Sequence, residues 1–141
     1  MERFLSSFFW GEGGDRMEAM REIAFSFEDL SINPQKKDEV LRRMAQLINY
    51  DSQDELVSFM WVIGKHGGKC SVEMLLSLTS WIIDEYTAWQ YLVSYENIVG
   101  KDILPDFLEA FDKINFYADK MLAKGDDKIK DALTEFRYKT F

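Results

Sequence analysis

Cysteine and histidine each occur once among 141 residues, and proline twice. A single cysteine excludes an internal disulfide framework, and one cysteine with one histidine excludes a structural zinc site, which takes four Cys/His ligands. A four-helix di-iron centre is excluded too, because it requires two Glu-x-x-His pairs. Cations are scarce: 17 Lys and Arg stand against 25 Asp and Glu, a net charge of −8. That balance argues against nucleic-acid binding, since phosphate contacts draw on a surplus of Lys and Arg. No apolar run approaches the roughly 20 residues that span a bilayer, so no membrane is expected. The opening run Phe4 to Trp10 follows Glu2 and lacks the basic start and cleavage site of a secretory signal. A lone cysteine without an export signal predicts a cytoplasmic location.

What is present is apolar and helical. Apolar residues make up 47% and aromatics 15%, enough to exclude a disordered chain and to build one core without staples. Residues 1–141 therefore read as one domain, with 1–14 a flexible or peripherally docked N-terminal segment. Asp15 is placed to cap a first helix carrying Met17, Met20, Ala24 and Phe27, although Ala24 to Phe27 also alternates like a strand. Asn33–Pro34 opens a second helix, in which Val40, Leu41, Met44, Leu47 and Ile48 form one stripe. Ser52 and Glu55 have capping-box spacing ahead of Leu56, Phe59, Met60 and Ile63. A glycine-rich turn, Gly64 to Lys69, precedes a helix that Ser71 can cap. Asp84–Glu85 is either a bend between two helices or the outer face of one long helix. Asp102 is placed to cap a further helix with Pro105 in its first turn and an apolar stripe of Phe107, Leu108, Phe111, Ile114, Tyr117, Met121 and Leu122. Gly125 ends it, and Ile129, Leu133 and Phe136 mark a last helix. The fold class is all-α: a compact bundle of six or seven short helices, with a short stack of helical-pair repeats as the alternative.

Catalytic and nucleotide motifs fail on inspection. Gly68–Lys69 is followed by Cys70 where a phosphate loop needs Ser or Thr, and Ile63 stands at the first glycine position. Arg16 occupies the third glycine position of a dinucleotide fingerprint after Gly11 and Gly13. His66 and Cys70 could form a base and its nucleophile on the glycine turn, which is the basis of a small-enzyme alternative. The paired carboxylates, among them Asp54–Glu55 and Asp126–Asp127, point about 100° apart on a helix, so most of them do not form a joint acid–base dyad. No catalytic residue, metal ligand or cofactor is assigned.

The acidity is regional. Between Met44 and Gly100 there are seven acids and two bases, whereas the tail from Lys101 has nine acids and eight bases. Within that tail Asp102, Asp106, Glu109 and Asp112 are spaced four, three and three, which stacks them on one face of a continuous helix. Like charges so placed cost a helix a few tenths of a kcal/mol per pair, so the stripe is a candidate for facing a basic partner. Asp84, Glu85 and Tyr86 form a second candidate surface, with Trp89, Tyr91 and Tyr95 nearby, because aromatics among charges characterise protein interfaces.

In size, acidity and aromatic content, and in the run DELVSFMWVIGKHGGKCSVEMLLSLTSWIIDEYTAWQYLVSYENI from Asp54 to Ile98, the chain resembles the immunity proteins of bacterial toxin systems, including contact-dependent growth inhibition. The resemblance implies an acidic inhibitor that binds a basic, nuclease-type toxin and covers its active site or substrate groove. A helical adaptor or regulatory protein with a non-toxin partner is the alternative in the same class.

Overall fold

A computed structural model describes residues 14–124 of the chain, with side chains from 16 to 121. Seven α-helices and no strand occur among the described residues: α1 (Gly14–Ser26), α2 (Pro34–Leu47), α3 (Gln53–His66), α4 (Lys69–Ser77), α5 (Glu85–Ile98), α6 (Leu108–Phe116) and α7 (Ala118–Lys124). Short 3-10 turns, Thr79–Trp81 and Pro105–Phe107, precede α5 and α6. The expected segment 1–14, except for Gly14, and the expected last helix lie outside the described residues.

Local chemistry accounts for most boundaries. The Asn33 side chain accepts from the Gln35 amide (2.8 Å) with Pro34 at the first helical position, so one orphan amide is satisfied and another never exists. Ser52 caps α3 by accepting from the Glu55 amide. Glu55 does not reach back to close the box: its carboxylate accepts from the Asn49 amide (3.2 Å) and pairs with Arg16 (2.8 Å). Arg16 also donates to the Leu47 carbonyl, so one guanidinium ties the start of α1 to the end of α2 and the start of α3. Gly67 ends α3 with φ of 70°, a left-handed cap that a side chain would strain. Asp84 resolves the choice at the polar pair as a bend. It caps α5 in a reciprocal box with Thr87.

Three expected caps are displaced. Asp15 lies inside α1, and Ser71 lies inside α4, which begins at Lys69 behind the unassisted cap Gly68. Asp102 precedes the Pro105 turn by three residues, and Leu104 occupies the cap position there. The strand-like alternation at Ala24 to Phe27 is helical through Ser26.

The core is built around α3, which packs most extensively against α5, then against α1, and also touches α2 and α4. Leu56, Phe59, Met60, Val62, Ile63 and Gly64 are all buried, more than one helical face, as a helix covered on several sides requires. This central helix with partners distant in sequence is a bundle, not a stack of adjacent pairs. Tyr95 and Phe107 meet edge to face at a centroid distance of 4.9 Å, as do Tyr95 and Phe111 at 4.8 Å. The Tyr95 hydroxyl donates to the Asp102 carbonyl (2.5 Å) and accepts from the Leu104 amide (2.9 Å), fixing the connection between α5 and α6. Tyr95→Phe should therefore cost about 1–3 kcal/mol, the desolvation of two backbone groups left without a partner. Urea unfolding would check it, and an unchanged midpoint would mean that water replaces the phenol at no cost.

Candidate functional site

Two places in the fold concentrate chemistry. The first surrounds His66, expected on the glycine turn and found instead in the last turn of α3 with a side chain only 6% exposed. Its Nδ1 accepts from the Gly68 amide (3.2 Å) and lies 2.8 Å from the Ser71 hydroxyl. An amide can only donate, so Nδ1 carries the lone pair, the hydroxyl donates to it, and the ring proton sits on Nε2. Nε2 lies 2.7 Å from Oδ1 of Asp38 on α2, close in distance but without hydrogen-bond alignment. The Phe27 ring meets the imidazole edge-on at 5.1 Å. Burial pushes the His66 pKa down, the Asp38 carboxylate opposes that, and Lys37 and Arg42 reinforce it.

An Asp–His–Ser order is the connectivity of a nucleophilic relay. Here Ser71 has no exposed surface, so its hydroxyl faces protein rather than a substrate. Cys70, the expected partner of His66, makes no bond to it; the thiol is buried, and burial raises its pKa, which disfavours the reactive thiolate. The arrangement joins α2, α3 and α4 through one ring. Only a three-dimensional view reveals it, because Asp38 lies 28 positions before His66 and no local pattern links them. No group of three or more metal-ligating side chains occurs among the described residues.

The second place is the outer side of α6 and the turn before it. Asp102, Asp106, Glu109 and Asp112 are all exposed, but they do not share one helix as the spacing predicts. Asp102 lies in the α5–α6 connection, Asp106 in the 3-10 turn, and only Glu109 and Asp112 in α6. The change of geometry at Phe107 interrupts the helical phase. Between these carboxylates the surface is apolar: Leu108 is 51% and Phe116 80% exposed, and Leu104 is also exposed. Leu108, Asp112 and Phe116 recur at a spacing of four and share one side of α6. Leu108 was expected in the core stripe and is instead on this surface. Phe107, Ala110, Phe111 and Ile114 take the inner side.

The Asp84 region divides. The Asp84 carboxylate is engaged, accepting from the Thr87 amide (2.8 Å) and from Gln53 Nε2 (2.5 Å). Tyr86 is 45% exposed, Glu85 is half-buried, and Trp89 is also on the surface. Tyr91 and Tyr95 are core residues with raised pKa values caused by burial, so they leave the candidate interface. The Tyr117 hydroxyl donates to the Ile83 carbonyl (2.8 Å), which joins the segment before Asp84 to the end of α6. Exposed Phe116 sits edge-on to Tyr117 at 5.1 Å.

Comparison with known proteins gave no matching family model, no matching curated protein and no matching solved structure.

Proposed function

We propose that the chain is an acidic protein-binding inhibitor of the immunity class, which neutralises a basic nuclease-type toxin through the outer side of α6. One observation carries the reading: exposed Leu108 and Phe116 lie among the exposed carboxylates of Asp106, Glu109 and Asp112. An apolar centre with a charged rim is the composition of an energetic hot spot. A nuclease holds phosphates with a cationic groove, so acidic side chains at the rim would attract that groove and raise the association rate. The apolar pair would then slow release. Charge supplies the encounter and burial supplies the residence time.

The test is a capture from the source organism's lysate at low and high salt, using the wild-type chain and a Glu109→Lys/Asp112→Lys variant. A basic protein held at low salt, weakened at high salt and lost with the variant supports the reading if that protein has nuclease activity that the chain inhibits. Phe116→Ala should weaken the same complex by about 10- to 30-fold, equivalent to roughly 1.4–2 kcal/mol. A basic partner without nuclease activity would make the chain an adaptor. Binding indifferent to both salt and the variant would remove this surface from the interface.

A further inference from the structure

Away from α6, a cleft of about 240 Å³ opens where α1 and α5 flank the exposed side of α3. Met17, Met20, Val57 and Trp61 give it an apolar lining, and Arg21, Ser58 and Gln90 bring polar groups to it. Arg21 is exposed, and among the described residues, Glu18 and Glu22 on its own helix included, no ion pair or hydrogen bond engages it. Lys65, outside the lining, holds its ammonium 5.7 Å from the centroid of the Trp61 ring. Gln90 is nearly buried and commits its amide nitrogen to Ser94 Oγ (3.1 Å); among the described residues neither its carbonyl oxygen nor the Ser58 hydroxyl has a hydrogen-bond partner.

From this arrangement we infer that the cleft is a binding site for a small amphipathic carboxylate, with its hydrocarbon or aryl body against Met17, Met20, Val57 and Trp61 and its carboxylate on Arg21. The charge selects the ligand. In a chain of net charge −8, a concave site whose lining carries a guanidinium and no carboxylate favours an anion, and a guanidinium fork matches a carboxylate in two-point contact. Ser58, which also lines the cleft, can donate to the same head group. Volume sets the size. Sites for drug-sized molecules run from about 300 to 1,000 Å³, so this one suits a medium-chain or single-ring acid. The site involves neither α6 nor the His66 centre, and it stands whether or not the chain inhibits a toxin.

Octanoate is the probe, with octylammonium and octan-1-ol as comparators of the same chain length and different charge. Titrations followed by ¹H–¹⁵N NMR should show saturable shifts of the Trp61 indole N–H and the Gln90 side-chain amide with octanoate, at a Kd of about 1 mM or tighter. Arg21→Ala should weaken octanoate at least tenfold while leaving the rest of the spectrum unchanged, since among the described residues Arg21 holds no ion pair or hydrogen bond. Arg21→Glu should reverse the preference toward octylammonium. Equal affinity for octanol and octanoate, equal affinity in Arg21→Ala, or absence of saturable shifts at Trp61 and Gln90 would each overturn the site.

Discussion

Replacing Gly64 with valine should destabilise the protein by about 3 kcal/mol, the upper part of the range for overpacked cores. A Cβ at position 64 would meet the Ser94 backbone Cα at 3.2 Å and the Ser94 Cβ and Oγ at 3.3 Å. Ser94 cannot withdraw freely, because its hydroxyl donates to the Met60 carbonyl (2.6 Å) and accepts from Gln90. The α3–α5 contact is the most extensive in the fold, so pushing these helices apart disturbs packing along both. Gly64→Ala separates the two influences on the position. Alanine gains about 1 kcal/mol of helix propensity over glycine and needs only a few tenths of an ångström of relief, so its net effect should be far smaller than that of valine. Urea midpoints at constant slope would show the difference. Equal midpoints for valine and wild type would mean that the two helices do not approach this closely.

His66→Ala should cost about 2–4 kcal/mol, through the void left by the ring and the loss of the acceptor for the Ser71 hydroxyl and the Gly68 amide. A pH dependence accompanies it. Burial holds the His66 pKa below its ordinary 6.5 in the folded chain, so the unfolded chain binds the proton more readily. Stability is then complete above the unfolded value and falls as pH drops from there through the lower folded value. Asp38 softens this loss, whereas Lys37 and Arg42 increase it. Unfolding at pH 7.5 and 5.5 should show wild type losing more stability across the interval than His66→Ala. Equal losses would place the titration elsewhere.

How much of this was legible depended on the range of the interaction concerned. Asn33–Pro34 and Ser52 act within three or four residues, and each marks its helix start as the sequence pattern predicts. The expected glycine turn from Gly64 to Lys69 narrows to Gly67–Gly68, because Gly64, Lys65 and His66 continue α3 and Lys69 opens α4. Val40, Leu41, Met44, Leu56, Phe59, Met60 and Ile63 are buried as helical periodicity requires. The pattern failed where a helix changes geometry or where a polar group finds a distant partner. Projecting one helical phase from Asp102 through Leu122 ignores the 3-10 turn at Pro105 and the break at Tyr117, and that misplaced both Leu108 and the acidic stack. Tyr95 looked like a surface aromatic because its hydroxyl partners, Asp102 and Leu104, lie beyond the end of its helix. Ser71 satisfies the composition of a cap, but its hydroxyl turns to His66. A carbonyl or an imidazole across a turn leaves no periodic signal.

On α6, inward residues (Phe107 at its cap, Ala110, Phe111, Ile114) alternate with outward ones (Leu108, Glu109, Asp112, Phe116) along the same short segment. Among the described residues no hydrogen bond or ion pair engages the carboxylates of Glu109 and Asp112, so substitutions there should change stability by no more than about 0.5 kcal/mol. The outer side of this helix can thus accumulate changes of charge and shape without eroding the bundle beneath it. Under the proposed inhibitor function, the residues that meet the partner can change one at a time while the bundle beneath them still folds.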